Sequence, residues 1–124
     1  QIRHALSECD FLVLEANHDE VLLHTSAYPV SVRRRIASSH GHLSNQAAAG
    51  FVLELLHPRL TAVVLAHLSN ECNRPAMALQ VVGDALKNAG WSGHLEVARQ
   101  DRPTQLFDVE ELRYRTGPTQ LSLL

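Results

Sequence analysis

The sequence predicts an α/β layered domain, and three observations carry that prediction. Two short apolar runs, residues 11–14 in "DFLVLEA" and residues 62–66 in "TAVVLAH", have the length and composition of buried parallel strands. Segments with helical spacing and capping residues lie between and after them. Each run also ends in a polar cluster, Glu15, Asn17, His18 and Asp19 after the first, and His67 through Asn73 after the second. In open α/β sheets that carboxyl edge is where ligands usually bind. The order strand, helices, strand, helix, strands belongs to the layered class.

Taken in order, "IRHALSEC" has helical spacing at Ile2, Ala5, Leu6 and Cys9. The first strand follows and ends at Glu15. A helix begins after Pro29 in "YPVSVRRRIASS", with Val32 and Ile36 inward and Arg33, Arg34 and Arg35 largely outward. "GHL" is then a loop, and Ser44 is placed to N-cap "NQAAAGFVLELL". On that helix Ala47, Phe51 and Leu55 share a face, Ala48 and Val52 lie beside them, and Pro58 closes the element. After the second strand, "RPAMALQVVGDALKNAG" reads as a helix with Asn73 or Arg74 capping, Pro75 in the first turn and Gly90 just past the end. "HLEVARQ" and "QLFDV" are candidate strands separated by a turn at "DRP", and "RYRTGPTQLSLL" has no clear period. One domain is expected, its body in residues 1–100 and its final strand and tail in residues 101–124.

Composition narrows the classes. A chain of 124 residues is about one domain with a modest core. A hydrophobic share of 45% with 19% charged residues describes a globular protein and excludes a disordered tail. A formal net charge of −2 argues against a protein that wraps nucleic acid by bulk charge, although it leaves room for a local basic patch. Cys9 and Cys72 form no C-x-x-C pair and follow no signal peptide, so they read as reduced thiols of a cytoplasmic protein. No apolar run reaches the length of a membrane span.

Eight histidines in so short a chain raise the question of which do chemistry. The two strand ends and the "GHLSN" loop between them converge His, Glu, Asp and Asn, a mixture that suits metal-assisted hydrolysis. Neither Ser44 nor Ser69 stands in a G-x-S-x-G elbow, neither cysteine has a catalytic signature, and there is no P-loop or G-x-G-x-x-G.

Together "FLVLEANHDEVLL", "YPVSVRRRIASSHGHLSNQAA" and "VVLAHLSNECNRPAMAL" resemble the C-terminal half of metallo-β-lactamase-fold hydrolases, in particular the YycJ/WalJ-type group of nucleases and phosphodiesterases. The spacing matches through about residue 100. The resemblance implies the C-terminal half of an αββα sandwich, a mixed sheet with helices on one face. It also implies site roles. His67 in "LAHLS" matches a metal ligand. His42 in "GHLS" and Glu15 in "LEAN" match a histidine and glutamate that deliver a proton to the leaving oxygen in related tRNA-processing enzymes. A carboxylate bonded to imidazole fixes its tautomer and favours its charged form, as a general acid requires. Asn17, His18 and Asp19 match the branch's "NHD" signature, without assigned roles, and Ser44 and Asn73 are further candidates to contact substrate or support the residues that do.

The family's H-x-H-x-D-H motif, its later single histidine and its bridging aspartate are absent from these residues. All three lie upstream in the family, and the chain has no initiator Met, so a fragment holding half of an active site is expected. The implied cofactors are two divalent ions, zinc or manganese, in the complete protein, with partial binding at most here. One imidazole cannot hold a catalytic zinc, which takes three or more protein ligands. The implied activity is hydrolysis of phosphodiester bonds, exonuclease-like, with a metal-bound hydroxide as nucleophile and the Glu15–His42 pair protonating the leaving group. The isolated chain should then be inactive. Nucleic acid or another phosphodiester is the expected substrate, and the missing N-terminal half or a second copy would cover an exposed apolar sheet face.

Blander readings stand beside these. His67 and His42 can be surface residues, Glu15 can cap a turn, His18 and Asp19 can form an Asx-type turn, and Asn73 can cap a helix. His4, His24, His40, His57 and His94 read as solvated, and Trp91 and Phe107 as packing. Arg33, Arg34 and Arg35 are either an exposed helix face or a phosphate-contacting patch. Two rival functions also remain: hydrolysis of a small cyclic phosphodiester or thioester on the same fold, and a non-catalytic α/β binding module.

Overall fold

The computed structural model describes residues 9–99. Its elements are β1 (Phe11–Glu15), α1 (Glu20–His24), α2 (Val30–Ala37), α3 (Asn45–Glu54), β2 (Ala62–Ala66), α4 (Pro75–Asn88) and β3 (His94–Val97). The "IRHALSEC" helix lies almost wholly outside the described residues. So do His4, Phe107, the "DRP" turn, the "QLFDV" strand and the tail.

The three strands form one sheet in the order β1-β2-β3, and both pairings are parallel. The sheet of the described residues is therefore parallel, where a mixed one was expected. Every connection between its strands passes through helix, and such crossovers return the chain in the same direction. The register sets Phe11 opposite Ala62 and Glu15 opposite Ala66, so β1 and β2 end level with each other.

One face of the sheet carries Leu12, Leu14, Val63 and Leu65, which join Ala48 and Val52 of α3 and Ala78, Val82 and Leu86 of α4 in a single buried cluster. Fully burying a side chain of this kind contributes about 1.5–3 kcal/mol. The opposite face is less covered: Val13 is 60% exposed. Trp91 is buried, as expected, and its indole N–H donates to the Leu60 carbonyl at 2.9 Å. Gly90 takes φ 86° just past α4, a conformation that only glycine adopts freely.

Two helical phases differ from expectation. Ala47 is exposed and Ala49 buried, because Ser44 accepts from the Ala47 amide and so starts α3 with Ala48, Ala49, Val52 and Leu55 inward. Arg33 is not a free surface charge. It is half-buried and donates to the His24 carbonyl, tying α2 to α1, while Arg34 and Arg35 are exposed. The short α1 was not anticipated at all. No described helix is long and apolar enough to cross a membrane.

Candidate active site

Level strand ends decide the geometry of the site. Glu15 closes β1, and His67 is the first residue beyond β2. His67 has φ 65°, a left-handed conformation uncommon for a residue with a side chain. Its carbonyl is held by the Asn17 side-chain amide at 2.9 Å, and the Ser69 amide donates to the Asn17 carbonyl at 2.7 Å. His67 Nδ1 lies 2.6 Å from Glu15 Oε2.

His42 reaches the same oxygen from the loop between α2 and α3. Gly41 makes this possible, since a Cβ there would stand 2.3 Å from the carbonyl oxygens of Arg35 and Ile36. The loop therefore folds against the end of α2, with the His42 amide donating to Ile36 at 2.9 Å. His42 Nδ1 is then 3.0 Å from Glu15 Oε2, and the Leu43 amide donates to Glu15 Oε1 at 2.7 Å. The two imidazole centroids are 5.5 Å apart.

Glu15 thus serves two imidazoles with one oxygen and an amide with the other. Burial pushes its carboxyl up, but bonds from His67, the Leu43 amide and His42, with the nearby His42 charge, outweigh that and hold it below its ordinary value. An ionised carboxylate only accepts, so both Nδ1 atoms donate and both Nε2 atoms are free for other work. The rings are open to solvent, with side-chain exposures of 41% for His42 and 65% for His67.

Glu15, His42 and His67 each offer one ligand atom, all within 4.8 Å of one another, and form a group able to hold a metal ion. The sequence pointed to His67 as a ligand and to Glu15 and His42 as a proton-delivery pair; folding brings the three side chains together. With Nδ1 on Glu15 and Nε2 free, the histidines stand as metal-binding histidines do when a carboxylate orients them.

Comparison with known proteins finds relatives over part of the chain. Over 91 residues, 73% of this chain, the sequence is 31% identical to exodeoxyribonuclease YycJ of Bacillus anthracis, of which the match covers 34%. Over 84 residues, 68% of this chain, it is 33% identical to exodeoxyribonuclease WalJ of Streptococcus pneumoniae serotype 2, of which the match covers 31%. Over that stretch the chain is a homologue of the YycJ/WalJ exodeoxyribonucleases. It spans about a third of the length of these curated relatives. No protein-family model matches the chain, and no solved structure does.

The other candidates sort by what they touch. His18 is only 2% exposed, yet lines both cavities beside the trio. One, about 420 Å³, includes Glu15, His42 and Ser44, and the other, about 250 Å³, includes Asn17, Tyr28 and His67. Burial pushes the His18 imidazole down, against the pull of Glu20 and other nearby carboxylates. Its Nδ1 is 3.2 Å from Asn17 Oδ1. Because Asn17 Nδ2 already donates to His67, that Oδ1 is an acceptor, so His18 carries its proton on Nδ1 and presents Nε2 as an acceptor.

Asp19, Ser44 and Asn73 are occupied structurally. Asp19 caps α1, with Oδ2 accepting from Val21 and Leu22 at 3.0 Å each and Oδ1 from Gln46 at 3.1 Å. Ser44 caps α3 through the Ala47 amide at 3.0 Å. Asn73 and Asn45 are both buried and exchange reciprocal amide bonds of 2.8 and 2.9 Å. Asn73 also donates to the Ala16 carbonyl and accepts from the Arg74 amide, each at 2.9 Å. This pair joins the starts of α3 and α4 to the end of β1. Sequence reasoning missed Asn45, whose only signal is an amide residue directly after a capping serine.

Proposed function

We propose that this chain carries part of the active site of a metal-dependent phosphodiester hydrolase of the exodeoxyribonuclease type, acting on nucleic acid in the cytoplasm. The reading takes the fold as the C-terminal half of an αββα metallo-β-lactamase sandwich, completed by residues of the whole protein. One observation carries it: Glu15 Oε2 holds both His42 Nδ1 and His67 Nδ1, at 3.0 and 2.6 Å, on the carboxyl edge of two parallel strands. The names of the relatives add the substrate class. The free thiols Cys9 and Cys72 fit a reducing compartment.

In this reading His67 would hold a divalent ion, zinc or manganese, through its free Nε2, with Glu15 fixing the ring from Nδ1. Such ions, when bound, supply charge neutralisation at the phosphoryl group and an activated nucleophile. His42 has the separate task of proton delivery. Its Nδ1–H rests on Glu15, whose charge stabilises the imidazolium, and its Nε2–H protonates the departing oxygen. Asn17 holds His67 in its left-handed turn, and His18, kept neutral, offers Nε2 to a substrate hydroxyl or water. Asp19, Ser44 and Asn73 keep the three loops in place.

The test is release of nucleotides from end-labelled single- and double-stranded oligodeoxynucleotides by the full-length protein, with manganese or zinc and with chelator. Metal-dependent shortening from one end, lost in His67→Ala, is the expected result. Absence of cleavage under every metal condition would overturn the proposal.

A further inference from the structure

A second cavity, about 510 Å³, opens at the carboxyl ends of β2 and β3, and Arg74 and Arg99 both line it. We propose that it binds a second, non-scissile phosphate of the nucleic-acid strand, gripped by these two arginines. The inference rests on the nucleic-acid reading above and names a part of the molecule that the Glu15–His42–His67 trio does not use.

Continuity between the cavities is the first support. Leu68, Ser69 and Asn70 line this cavity and also the smaller one that contains His42 and His67. A strand with one phosphate at the histidines therefore crosses this shared rim directly into the second cavity. The register of the sheet supports the same path. Leu65 is paired with Val97, and the Ala98 amide continues the ladder to the Leu65 carbonyl at 2.7 Å. His67 and Arg99 each follow that pair by two residues, so both come from the carboxyl end of the sheet.

Charge is the second support. The lining of the cavity holds two arginines and no aspartate or glutamate, and no described carboxylate pairs with either guanidinium. Both side chains are exposed, so they reach a ligand without leaving a buried site. They come from different elements, Arg74 from the cap of α4 and Arg99 from beyond β3. Arg74 is also anchored at its backbone by Asn73 Oδ1 at 2.9 Å. Two planar forks lining one cavity suit the tetrahedral oxygens of a phosphate, whereas no histidine or carboxylate in the lining suits a cation. A nucleic-acid strand repeats its charge at every nucleotide, so a second anion site one step from the chemistry gives register to the bound strand.

The experiment measures binding of short fluorescein-labelled single-stranded oligodeoxynucleotides to the full-length protein by anisotropy, in EDTA and over a range of salt. Arg74→Gln with Arg99→Gln should weaken binding and reduce the slope of log K against log salt by about 0.7, the value for one neutralised phosphate on a single strand. The paired lysine substitutions should restore most of that slope, and circular dichroism checks that each variant is folded. Oligonucleotides neutralised at one linkage at a time, as methylphosphonates, then locate the contact. In the wild-type protein one linkage should be costly to neutralise. That cost should vanish in the Arg74/Arg99 glutamine pair and persist when Arg34 and Arg35 are changed to Gln instead. An unchanged slope and profile in the Arg74/Arg99 pair, or a flat profile in the wild type, overturns the second phosphate site while leaving the nuclease reading intact. Failure of the wild-type protein to bind any oligonucleotide overturns both.

Discussion

Glu15→Gln preserves shape at the centre of the site but withdraws the charge that two imidazoles share. A glutamine oxygen can still accept from the Leu43 amide. Its nitrogen, however, faces two Nδ1–H groups where Oε2 stood, and a donor cannot satisfy donors. At least one ring must change tautomer or turn away. Bonds to a charged partner are worth about 1.5–3 kcal/mol when well shielded, and these rings are 41% and 65% exposed, so solvent reduces the figure. About 1–2 kcal/mol for the two links together is a fair estimate, which corresponds to roughly a tenfold loss of correctly oriented rings. Loss of an orienting carboxylate lowers metal affinity or activity by about 10–100-fold, the same range. Two measurements check it: ¹⁵N-histidine spectra, which report tautomers directly, and calorimetric titration with zinc. Wild-type His42 and His67 should both show Nδ1–H signals when neutral, and the variant a mixture with weaker zinc binding. If tautomers and affinity are unchanged, Glu15 is only a backbone cap for Leu43.

Substitutions in the full-length protein should separate the proposed roles of the two histidines. His67→Ala should lower bound metal, whereas His42→Ala should keep metal and reduce turnover by about 10²–10⁴-fold, with much smaller loss on a nitrophenyl ester that needs no proton; equal metal loss in both would refute the division. Asp19→Ala should cost about 1 kcal/mol of stability by removing the α1 cap, read by urea unfolding. Burial pushes the Asp19 carboxyl up, but the Leu22 amide, Gln46 and the Val21 amide outweigh it and hold it below the usual 3.8. Its contribution is thus present above that pH and lost as pH falls through the folded value, so the variant should flatten the acid side of the stability curve. Asn73→Ala leaves Asn45 buried without its partner and should cost about 1–3 kcal/mol, with near-ultraviolet dichroism and zinc binding changing together. Val13→Lys should reduce self-association of the isolated chain in sedimentation velocity if the exposed face of β1 is sticky.

Local order was legible in the residues. The apolar runs at residues 11–14 and 62–66 read as strands from their length and β-branched composition, and both are strands, although β1 leaves Val13 exposed where a fully buried strand was expected. Ser44, Pro75 and Gly90 announced helix ends because their physics acts within one turn of the chain. The motifs also singled out Glu15, His42 and His67 one by one. Only the tertiary structure decided that they meet. The parallel register that sets Glu15 opposite Ala66 spans 51 positions, and the second link to His42 depends on a loop folded where Gly41 lacks a Cβ. No local pattern encodes that one carboxylate oxygen serves two imidazoles. Nor does it show that Asn45 and Asn73 lock the loops, or that Arg33 is spent on the His24 carbonyl while Arg74 and Arg99 share a cavity. The sequence by itself determined which side chains are able to carry chemistry, because that is a property of each residue. Their convergence is a property of packed strands and satisfied buried polar groups, and it exists only once the chain has folded.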